Sequence, residues 1–558
     1  MAEPRINHKR KKKDDFLMQG MILAVAMVMT KVIGVAYRIP LTNILGDEGN
    51  GFYGYAYEVY AMALMLSSLS LPTVVSKLVS ARMAMGQRRN AFRVFLCSLA
   101  FALAVGIFIS LVIFLGASAI SSNIMKSPLS VYALRVLATG LSIVAVLGVL
   151  RGYFQGLGTM MPTAVSQIIE QLVNAVISIV GASILYKMGA KAGEKSGEKL
   201  LGPAYGAAGG TLGTVTGAVS ALLFLLFCFY MFKGYIRRGI ATDRSHKRER
   251  YQRILKILIL TSIPIIFSTA IYNINQILDL KIFNDIMSAQ GFTEKEYMAL
   301  QGIYTGKYNT LINVPLAVAN GLAASVIPSM TMAVTAGERK QIYSKIDQTI
   351  RFTMLIAIPC FVGFVVLASP LMVLLYNDAG KTPAFMLALG AVTVVFYSWS
   401  TVSNSILQGL DQMTTAAANA GISLVVHLMA LYLMLVVFKW NIYALVVSNI
   451  VFALCMCLLN ARAIHRTCGY EQEIDQTFIK PLIAAVLMGI VTYIVHLILD
   501  IFIGGRFIPT VIAVLTAMAV YAVGVLKLGV LSRADIKDLP QGRRIYRICR
   551  KLHLLPAR

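Results

Sequence analysis

The sequence predicts an all-α polytopic membrane protein with about 14 transmembrane helices, arranged as two six-helix repeats plus two C-terminal helices. Three observations support this prediction. Of the 558 residues, 58% are hydrophobic and only 14% are charged, which excludes a soluble chain. Apolar stretches long enough to cross a bilayer recur along the whole sequence. Short sequence matches recur at a nearly constant offset, which indicates a duplicated unit.

The charge balance has a topological explanation. The chain has 51 Lys and Arg against 25 Asp and Glu, a formal net charge of +26. In a soluble protein this excess would indicate a nucleic-acid partner. Here the basic residues lie mainly between apolar stretches, where the positive-inside rule accounts for them, so we expect no nucleic acid. The seven cysteines form neither a disulfide framework nor a zinc pattern, and we expect no metal site.

Fourteen apolar stretches are long enough to cross the hydrocarbon core as helices. They lie near residues 17–45, 54–81, 92–118, 129–151, 161–186, 205–232, 254–280, 303–333, 350–376, 384–408, 414–437, 441–463, 479–501 and 508–528. Lysine and arginine concentrate in alternate connecting segments, above all in 233–253, whereas GDEGN at 46–50 and the turn at 377–383 are poorer in them. This alternation and the even number of spans predict that both termini are cytosolic.

The segment 187–204 departs from the alternation. It carries four lysines at four-residue spacing, Lys187, Lys191, Lys195 and Lys199. It is a candidate for an external amphipathic helix that lies on lipid headgroups, and the sequence leaves its role open.

Matches between the two halves of the chain indicate an internal repeat. Gln-Gly-Leu occurs at 155–157 and again at 408–410, 253 residues later. Gly-x-Tyr-x-x-x-Tyr occurs at 51–57 and again at 302–308. Because each copy contains six spans, both copies start in the cytosol and are parallel repeats. Transporters that rock two halves around a midplane site have this arrangement.

The repeat and the basic segments together predict the domain organisation. We divide the chain into a basic cytosolic N-terminus (1–16), an N-terminal six-helix lobe (17–232), a basic cytosolic linker (233–253), a C-terminal six-helix lobe (254–465), helices 13 and 14 (466–528) and a basic cytosolic tail (529–558).

Ionisable side chains within the spans are the candidates for a functional site, because a charge deep in hydrocarbon costs about 2.5–3.5 kcal/mol on insertion scales. Lys31 and Arg38 lie seven residues apart in the otherwise apolar first span. Two cations on one helix indicate a cavity that binds anions. The predicted substrate-binding residues are Lys31, Arg38, Glu58, Lys77 and Lys307. Asp279 and Glu58 are candidates for holding a coupling ion.

These residues also have structural interpretations. Arg38 and Lys77 can extend to lipid headgroups, and Lys31 can pair within the helix bundle. Glu58 can neutralise Arg38, because both residues lie towards the outer ends of adjacent spans. The sequence leaves these alternatives open.

Motifs for enzymatic chemistry are absent from the sequence. No GxxxxGK[ST] occurs, and the six histidines show no HExxH spacing, so the chain encodes no ATP hydrolysis and we expect no catalytic residues. A membrane enzyme acting on sugar lipids would normally carry acidic residues at a loop edge. Asp47 and Glu48 form such a pair, which we interpret as turn chemistry within GDEGNG. The sequence therefore favours a transporter over an enzyme.

Three segments carry a resemblance to a known family: TKVIGVAYRIPLTNILGDEGNGFYGYAY from Thr30, SLPTVVSKLVS from Ser70, and RGYFQGLGTMMP from Arg151. With them the chain resembles the polysaccharide exporter branch of the multidrug/oligosaccharidyl-lipid/polysaccharide flippase superfamily, which includes stage V sporulation protein B and the MurJ-type lipid II flippases. The resemblance covers essentially the whole chain. The first span departs from the family's pattern. Lys31 stands where the family has an arginine, and Arg38 comes one residue later than the family's next arginine.

The resemblance implies a flippase that moves an undecaprenyl-pyrophosphate-linked sugar, in particular the peptidoglycan precursor lipid II, to the outer leaflet by alternating access. It implies a cationic cavity lined by spans one, two, seven and eight, a bacterial plasma membrane, a functional monomer and no cofactor. The membrane potential, Na⁺ or H⁺ would drive the cycle. Membrane lipids are expected partners, and cell-wall synthesis proteins are candidates. The alternatives are another polysaccharide or sporulation lipid, or a cation-coupled drug antiporter.

Overall fold

The fold is that of a computed structural model, which describes residues 5–65, 71–243, 248–335, 337–503 and 505–530. Within these ranges the chain forms seventeen α-helices joined by short turns, and no β-strand occurs among them. The prediction of an all-α membrane protein is therefore confirmed. The predicted tail beyond residue 530, with Cys549, lies outside the described residues, as do residues 244–247 of the basic linker.

The chain forms two compact units, Met1–Gly306 and Lys307–Arg558. The first contains α1 (Arg5–Leu64), α2 (Leu71–Ala84), α3 (Arg88–Ala119), α4 (Val131–Gly156), α5 (Met161–Ser196), α6 (Leu201–Ala241), α7 (Tyr251–Ala289) and α8 (Glu294–Gly302). The second contains α9 (Asn309–Thr335), α10 (Arg339–Val366), α11 (Ala368–Tyr376), α12 (Lys381–Gly390), α13 (Thr393–Gly409), α14 (Met413–Val436), α15 (Tyr443–Cys468), α16 (Lys480–Ile503) and α17 (Phe507–Lys527). The predicted lobe boundary at the basic linker stays a prediction.

Each of the fourteen predicted stretches overlaps a helix. Eleven helical segments of the described chain are long and apolar enough to cross a membrane, and they correspond to predicted spans three to six and eight to fourteen. The protein is thus a multi-pass membrane protein. The first predicted span lies in α1 and the seventh in α7, whereas the second is divided between the end of α1 and α2; the crossing of these three remains a prediction.

The first helix reverses its direction at Gly46, whose φ of 67° and ψ of −178° are not helical. The guanidinium of Arg38 lies 4.1 Å from the ring centroid of Tyr53, although fifteen residues of straight helix would span about 22 Å. The side chain of Asn50 donates hydrogen bonds to the carbonyls of Thr42 at 3.0 Å and of Gly46 at 2.7 Å, which fastens the reversal. The reversal coincides with the predicted turn GDEGN.

The connecting segments of the first unit gather at two opposite ends. At one end, Tyr297 donates to the carbonyl of Lys126 at 2.5 Å. At the other, the backbone N–H of Arg89 donates to Asp243 at 2.6 Å. Because the 32-residue helix α3 joins these ends and is about 48 Å long, the two sets of loops lie on opposite sides of the unit. This arrangement is expected for helices that run alternately up and down.

The lysine-rich segment 187–204 forms no separate amphipathic helix. Helix α5 continues to Ser196, so three of the four lysines lie in its last turns. The physical reason is close packing of α5 on α6: a Cβ at Gly189 would come within 2.6 Å of the Cβ of Tyr205, and one at Gly193 within 2.5 Å of the carbonyl of Glu198. Because of this close packing, α5 remains helical beyond the end of its apolar stretch.

The Gln-Gly-Leu match at 155–157 and 408–410 forms the same turn in each unit. In both, the backbone N–H of the leucine donates to the carbonyl four residues earlier, at 3.0 and 2.9 Å. In both, a Cβ on the glycine would come within 2.6 Å of a side-chain carbon, on α2 in the first unit and on α9 in the second. The glycine is therefore required by the close approach of a neighbouring helix.

The apolar cores lie around a central helix in each unit. In the first unit, Leu150 and Phe154 of α4 are buried in a cluster with Val75 of α2, Phe95 of α3 and Leu225 of α6. In the second unit, α13 is the central helix and packs against α9, α10 and α15. These cores fix the helices that carry the polar side chains described below.

Gly46 is the residue whose replacement should most affect the reversal of α1. Its φ and ψ lie in a region that is essentially restricted to glycine, so Gly46→Ala should destabilise the fold by about 1–3 kcal/mol. Gly34→Ala on the same helix is the matched control, because its Cβ would meet no atom within 4 Å. Thermal unfolding of the detergent-solubilised variants measures both; equal stability of the two variants would contradict the reversal.

Candidate functional site

The candidate site of the first unit is built around Arg38. The reversal at Gly46 brings the second part of α1 back alongside the first, so that the guanidinium stacks on the ring of Tyr53 at 4.1 Å. Such a cation–π contact holds a cation in place without neutralising it. No ion pair joins Arg38 to Glu58 among the described residues, so the alternative in which Glu58 neutralises Arg38 does not hold in this structure.

Three tyrosines continue the site along the second part of α1. Tyr53, Tyr57 and Tyr60 lie three and four residues apart and therefore share one helix face. The rings of Tyr53 and Tyr57 are nearly parallel, 11° apart, with centroids 6.0 Å from each other. The ring of Tyr60 lies 6.1 Å from that of Tyr57. This face combines a cation with a row of aromatic rings.

Polar side chains of α4 and α5 adjoin this face. Asn174 donates to the hydroxyl of Tyr37 at 3.1 Å and is itself held by Ser178 at 2.8 Å. Glu170 forms an ion pair with Arg151 at 2.6 Å. The pattern of the sequence did not indicate this pair, because Arg151 lies at the end of a predicted span, where a basic residue normally extends to headgroups.

Two of the predicted cations, Lys31 on α1 and Lys77 on α2, have exposed side chains. Neither forms an ion pair with another described residue. Glu58 is half-buried, and Asp279 is almost fully buried. The two carboxylates lie close enough for their charges to interact. The structure therefore places two acidic groups in the same region of the first unit, one on α1 and one on α7.

Lys307, also predicted to bind the anion, belongs to the second unit and is buried in an ion pair. Its ammonium group lies 2.5 Å from a carboxylate oxygen of Asp378, and the two side chains are 7% and 21% exposed. Burial raises the pKa of Asp378, but hydrogen bonds from Lys307 and from the backbone N–H of Gly380, at 2.8 Å, hold it below its usual value. Asp378 thus competes with any anionic ligand for this lysine.

Another ion pair of the first unit joins α2 to the basic linker. Arg82 of α2 donates two hydrogen bonds to the carboxylate of Glu249, at 3.1 and 2.6 Å, and its side chain is 7% exposed. Asn90 accepts a hydrogen bond from the backbone N–H of Glu249 at 3.2 Å. These contacts fasten the basic linker to the turn between α2 and α3. This pairing could not be predicted from the sequence, since the partners are 167 residues apart.

Two other intramembrane ionisable groups lie away from this site. Arg135 is exposed and donates to the hydroxyl of Ser118 at 3.1 Å. His427 is fully buried in the second unit with its ring edge-on to Phe452, at 6.0 Å between centroids. His427 therefore packs within the core of that unit.

The chemistry of the α1 face follows from its composition. Arg38 and Lys31 supply donors that suit phosphate or carboxylate oxygens. The tyrosines supply flat apolar surfaces with hydroxyl groups at their edges. An amphipathic anion with an organic headgroup is the ligand class that uses both.

The sequence matches the family model described as "Polysaccharide biosynthesis protein" over residues 16–334, more than half of the chain. Among curated relatives, the lipid II flippase MurJ of Bacillus subtilis (strain 168) is 23% identical over 539 residues, which cover 93% of this chain and 96% of the relative.

Two solved structures share the fold. An inward-facing multidrug resistance MATE family transporter of the MOP superfamily matches with a TM-score of 0.62 and 16% identity, covering 80% of this chain and 99% of that one. The lipid II flippase MurJ in an inward closed conformation matches with a TM-score of 0.61 and 12% identity, covering 90% and 98%. At these identities the likeness shows the fold alone, and it is a transporter fold.

The ion pair of the second unit makes a prediction about stability. Asp378→Asn leaves the buried ammonium of Lys307 without its carboxylate and should destabilise the protein by about 3 kcal/mol at neutral pH. Asp285→Asn is the matched control, because its pair with Lys281 is exposed and contributes less than about 1 kcal/mol.

The same variant should show a defined pH dependence. Because the pKa of Asp378 is lowered by folding, its contribution is complete above the ordinary aspartate pKa of about 3.9 and is lost as the pH falls through the lower folded value. Thermal unfolding of wild type and variant should therefore differ equally at pH 5 to 8 and converge below about pH 4. A difference that grows on acidification would contradict the ion pair.

Proposed function

Because this chain belongs to the polysaccharide biosynthesis protein family of the multidrug/oligosaccharidyl-lipid/polysaccharide flippase superfamily, we propose that it flips a lipid-linked anionic oligosaccharide from the inner to the outer leaflet. The observation that carries the proposal is the face of α1 with Arg38 stacked on Tyr53, together with the exposed Lys31 seven residues earlier on the same helix. This face offers positive charge and aromatic surface within a predicted span. A sugar attached through pyrophosphate to a polyprenyl tail matches both.

The two cations of α1 lie at different distances along the helix from the reversal at Gly46. Arg38 precedes Gly46 by eight residues, about 12 Å of helix, and Lys31 by fifteen residues, about 22 Å. The hydrocarbon core of a bilayer is about 30 Å thick, so the pair covers most of its depth below the outer surface. We assign to Lys31 the first contact with the pyrophosphate and to Arg38 the later one, as the headgroup moves outwards.

The direction of transport agrees with electrostatics. Moving each negative charge out of a cell with an inside-negative potential is worth about 2.3 kcal/mol per 100 mV. The paired carboxylates of Glu58 and Asp279 are our candidates for a Na⁺ or H⁺ site that returns the empty protein to its inward state. Lys77 would act at the cytosolic entrance, and Lys307 would bind an anionic group only after release from Asp378.

The proposal includes the finer topology: fourteen spans, two parallel six-helix repeats and cytosolic termini. The observed segregation of loops at two ends of the first unit supports it. We place the protein in a bacterial plasma membrane and expect the monomer to be functional, with cell-wall synthesis proteins as candidate partners.

The preferred cargo is lipid II, which the printed name of the Bacillus subtilis relative supports. Another polysaccharide precursor or a sporulation lipid-linked oligosaccharide is the main alternative. A cation-coupled drug antiporter is supported by the fold of the MATE transporter. The exposed Lys31 and the stacked Arg38 argue against it, because a cavity for cationic drugs requires carboxylates rather than cations.

A flipping assay in proteoliposomes tests the proposal. Lys31→Ala and Arg38→Ala should each reduce transport of lipid II about ten- to hundredfold, because each removes a charged donor worth about 1.5–3 kcal/mol to a phosphate. Arg135→Ala is the matched control for the loss of a cation from a span, and it should transport normally. Normal transport by both α1 variants would overturn the cationic site, and wild-type transport of a cationic dye instead of lipid II would favour the antiporter.

A further inference from the structure

Tyr57 differs from its neighbours in exposure. Its side chain is 42% exposed, whereas Tyr53 and Tyr60 on the same helix face are 4% and 3% exposed. The charged groups of Arg38 and Glu170 lie near enough to Tyr57 to interact electrostatically with it. Charged groups near an exposed tyrosine ring favour polar surroundings over lipid tails, which would leave those charges unsolvated.

The ring of Tyr57 is also held in a fixed orientation. It stacks on Tyr53, and the space for the Tyr53 ring exists because residue 210 of α6 is glycine: a Cβ there would come within 3.3 Å of that ring. On its other side Tyr60 lies 6.1 Å away, with its hydroxyl near Gly140 of α4. Tyr57 therefore presents a flat, preorganised surface. Its side chain is already ordered in the folded protein, so a ligand that binds there does not have to restrict it further.

Polar groups lie at the edge of this surface. The carboxylate of Glu58 follows Tyr57 directly and is half-buried, and Glu170 is held in place by Arg151 at 2.6 Å. One tyrosine ring separates Tyr57 from the guanidinium of Arg38. A flat aromatic ring with two carboxylates in its neighbourhood, one of them fixed by an ion pair, and with a cation one ring away has the groups needed for a ring-shaped ligand that carries hydroxyls and a phosphate.

We propose that Tyr57, supported by Tyr53 and flanked by Glu58 and Glu170, is the subsite for the phosphate-proximal sugar of the cargo. A pyranose has an apolar face of C–H groups that stacks on an aromatic ring, while its edge hydroxyls donate to carboxylates. The phosphate joined to that sugar then reaches Arg38. This inference rests on the proposed function. It adds the side chain by which the protein distinguishes a glycosylated lipid from a bare polyprenyl pyrophosphate.

The corresponding position of the second unit supports the assignment to the first. In the sequence match of 51–57 with 302–308, Tyr308 is the counterpart of Tyr57. Tyr308 is only 2% exposed, and its hydroxyl donates to the carbonyl of Gly390 at 3.3 Å. A sugar can stack on Tyr57 but not on Tyr308, so the subsite belongs to the first copy.

Binding of two lipids to the purified full-length protein in nanodiscs tests the subsite. The probes are undecaprenyl pyrophosphate and the same lipid carrying a disaccharide. Tyr57→Leu should weaken binding of the glycosylated lipid about tenfold and leave the bare lipid unchanged, whereas Tyr57→Trp should retain the preference. Tyr432→Leu on α14 is the matched control, because it removes another exposed tyrosine, and it should bind both lipids normally. Melting curves of each variant report on folding.

The outcomes separate the two proposals. Arg38→Ala should weaken binding of both lipids. If it does while Tyr57→Leu keeps the full preference for the glycosylated lipid, the sugar subsite is wrong and the proposed function stands. If the wild-type protein binds neither lipid, or Arg38→Ala binds both normally, the proposed function itself fails.

Discussion

The contact between Arg38 and Tyr53 is the interaction on which the rest of the site depends. It exists because Gly46 adopts a backbone conformation that reverses α1, and because the amide of Asn50 satisfies carbonyls exposed at that reversal. The π face of Tyr53 holds the guanidinium within a predicted span, and no carboxylate in the part of the chain that the structure describes forms an ion pair with it. A carboxylate in the same place would have neutralised the charge, so the aromatic partner keeps Arg38 available to an anion.

The two units differ in the charged and aromatic groups that they leave accessible. In the first, Lys31 is exposed, Arg38 is stacked and Tyr57 is open. In the second, Lys307 is paired with Asp378 and Tyr308 is buried. The Gln-Gly-Leu turn and its close glycine packing are alike in the two units, whereas these charged and aromatic groups differ. This inequality supports a headgroup bound mainly by the first copy.

The sequence predicted the helices and the reversal because both are local. Apolar length marks a span, and GDEGN marks a turn wherever they occur. The ion pairs could not be predicted, because Arg82 and Glu249 are 167 residues apart and Lys307 and Asp378 are 71 apart. Only helix packing brings such residues together. Arg38 and Lys31 could be identified from the sequence, because a charged side chain in hydrocarbon is costly. Tyr57 could not, because the sequence does not show which aromatic residues are exposed.

A cryo-EM structure of the protein in nanodiscs with a bound lipid-linked disaccharide tests the central claim most directly. The account predicts pyrophosphate density within hydrogen-bonding distance of Arg38 or Lys31, with the first sugar ring stacked on Tyr57. Headgroup density held by residues of the second unit alone, with Arg38 still stacked on Tyr53 and Tyr57 uncovered, would contradict it.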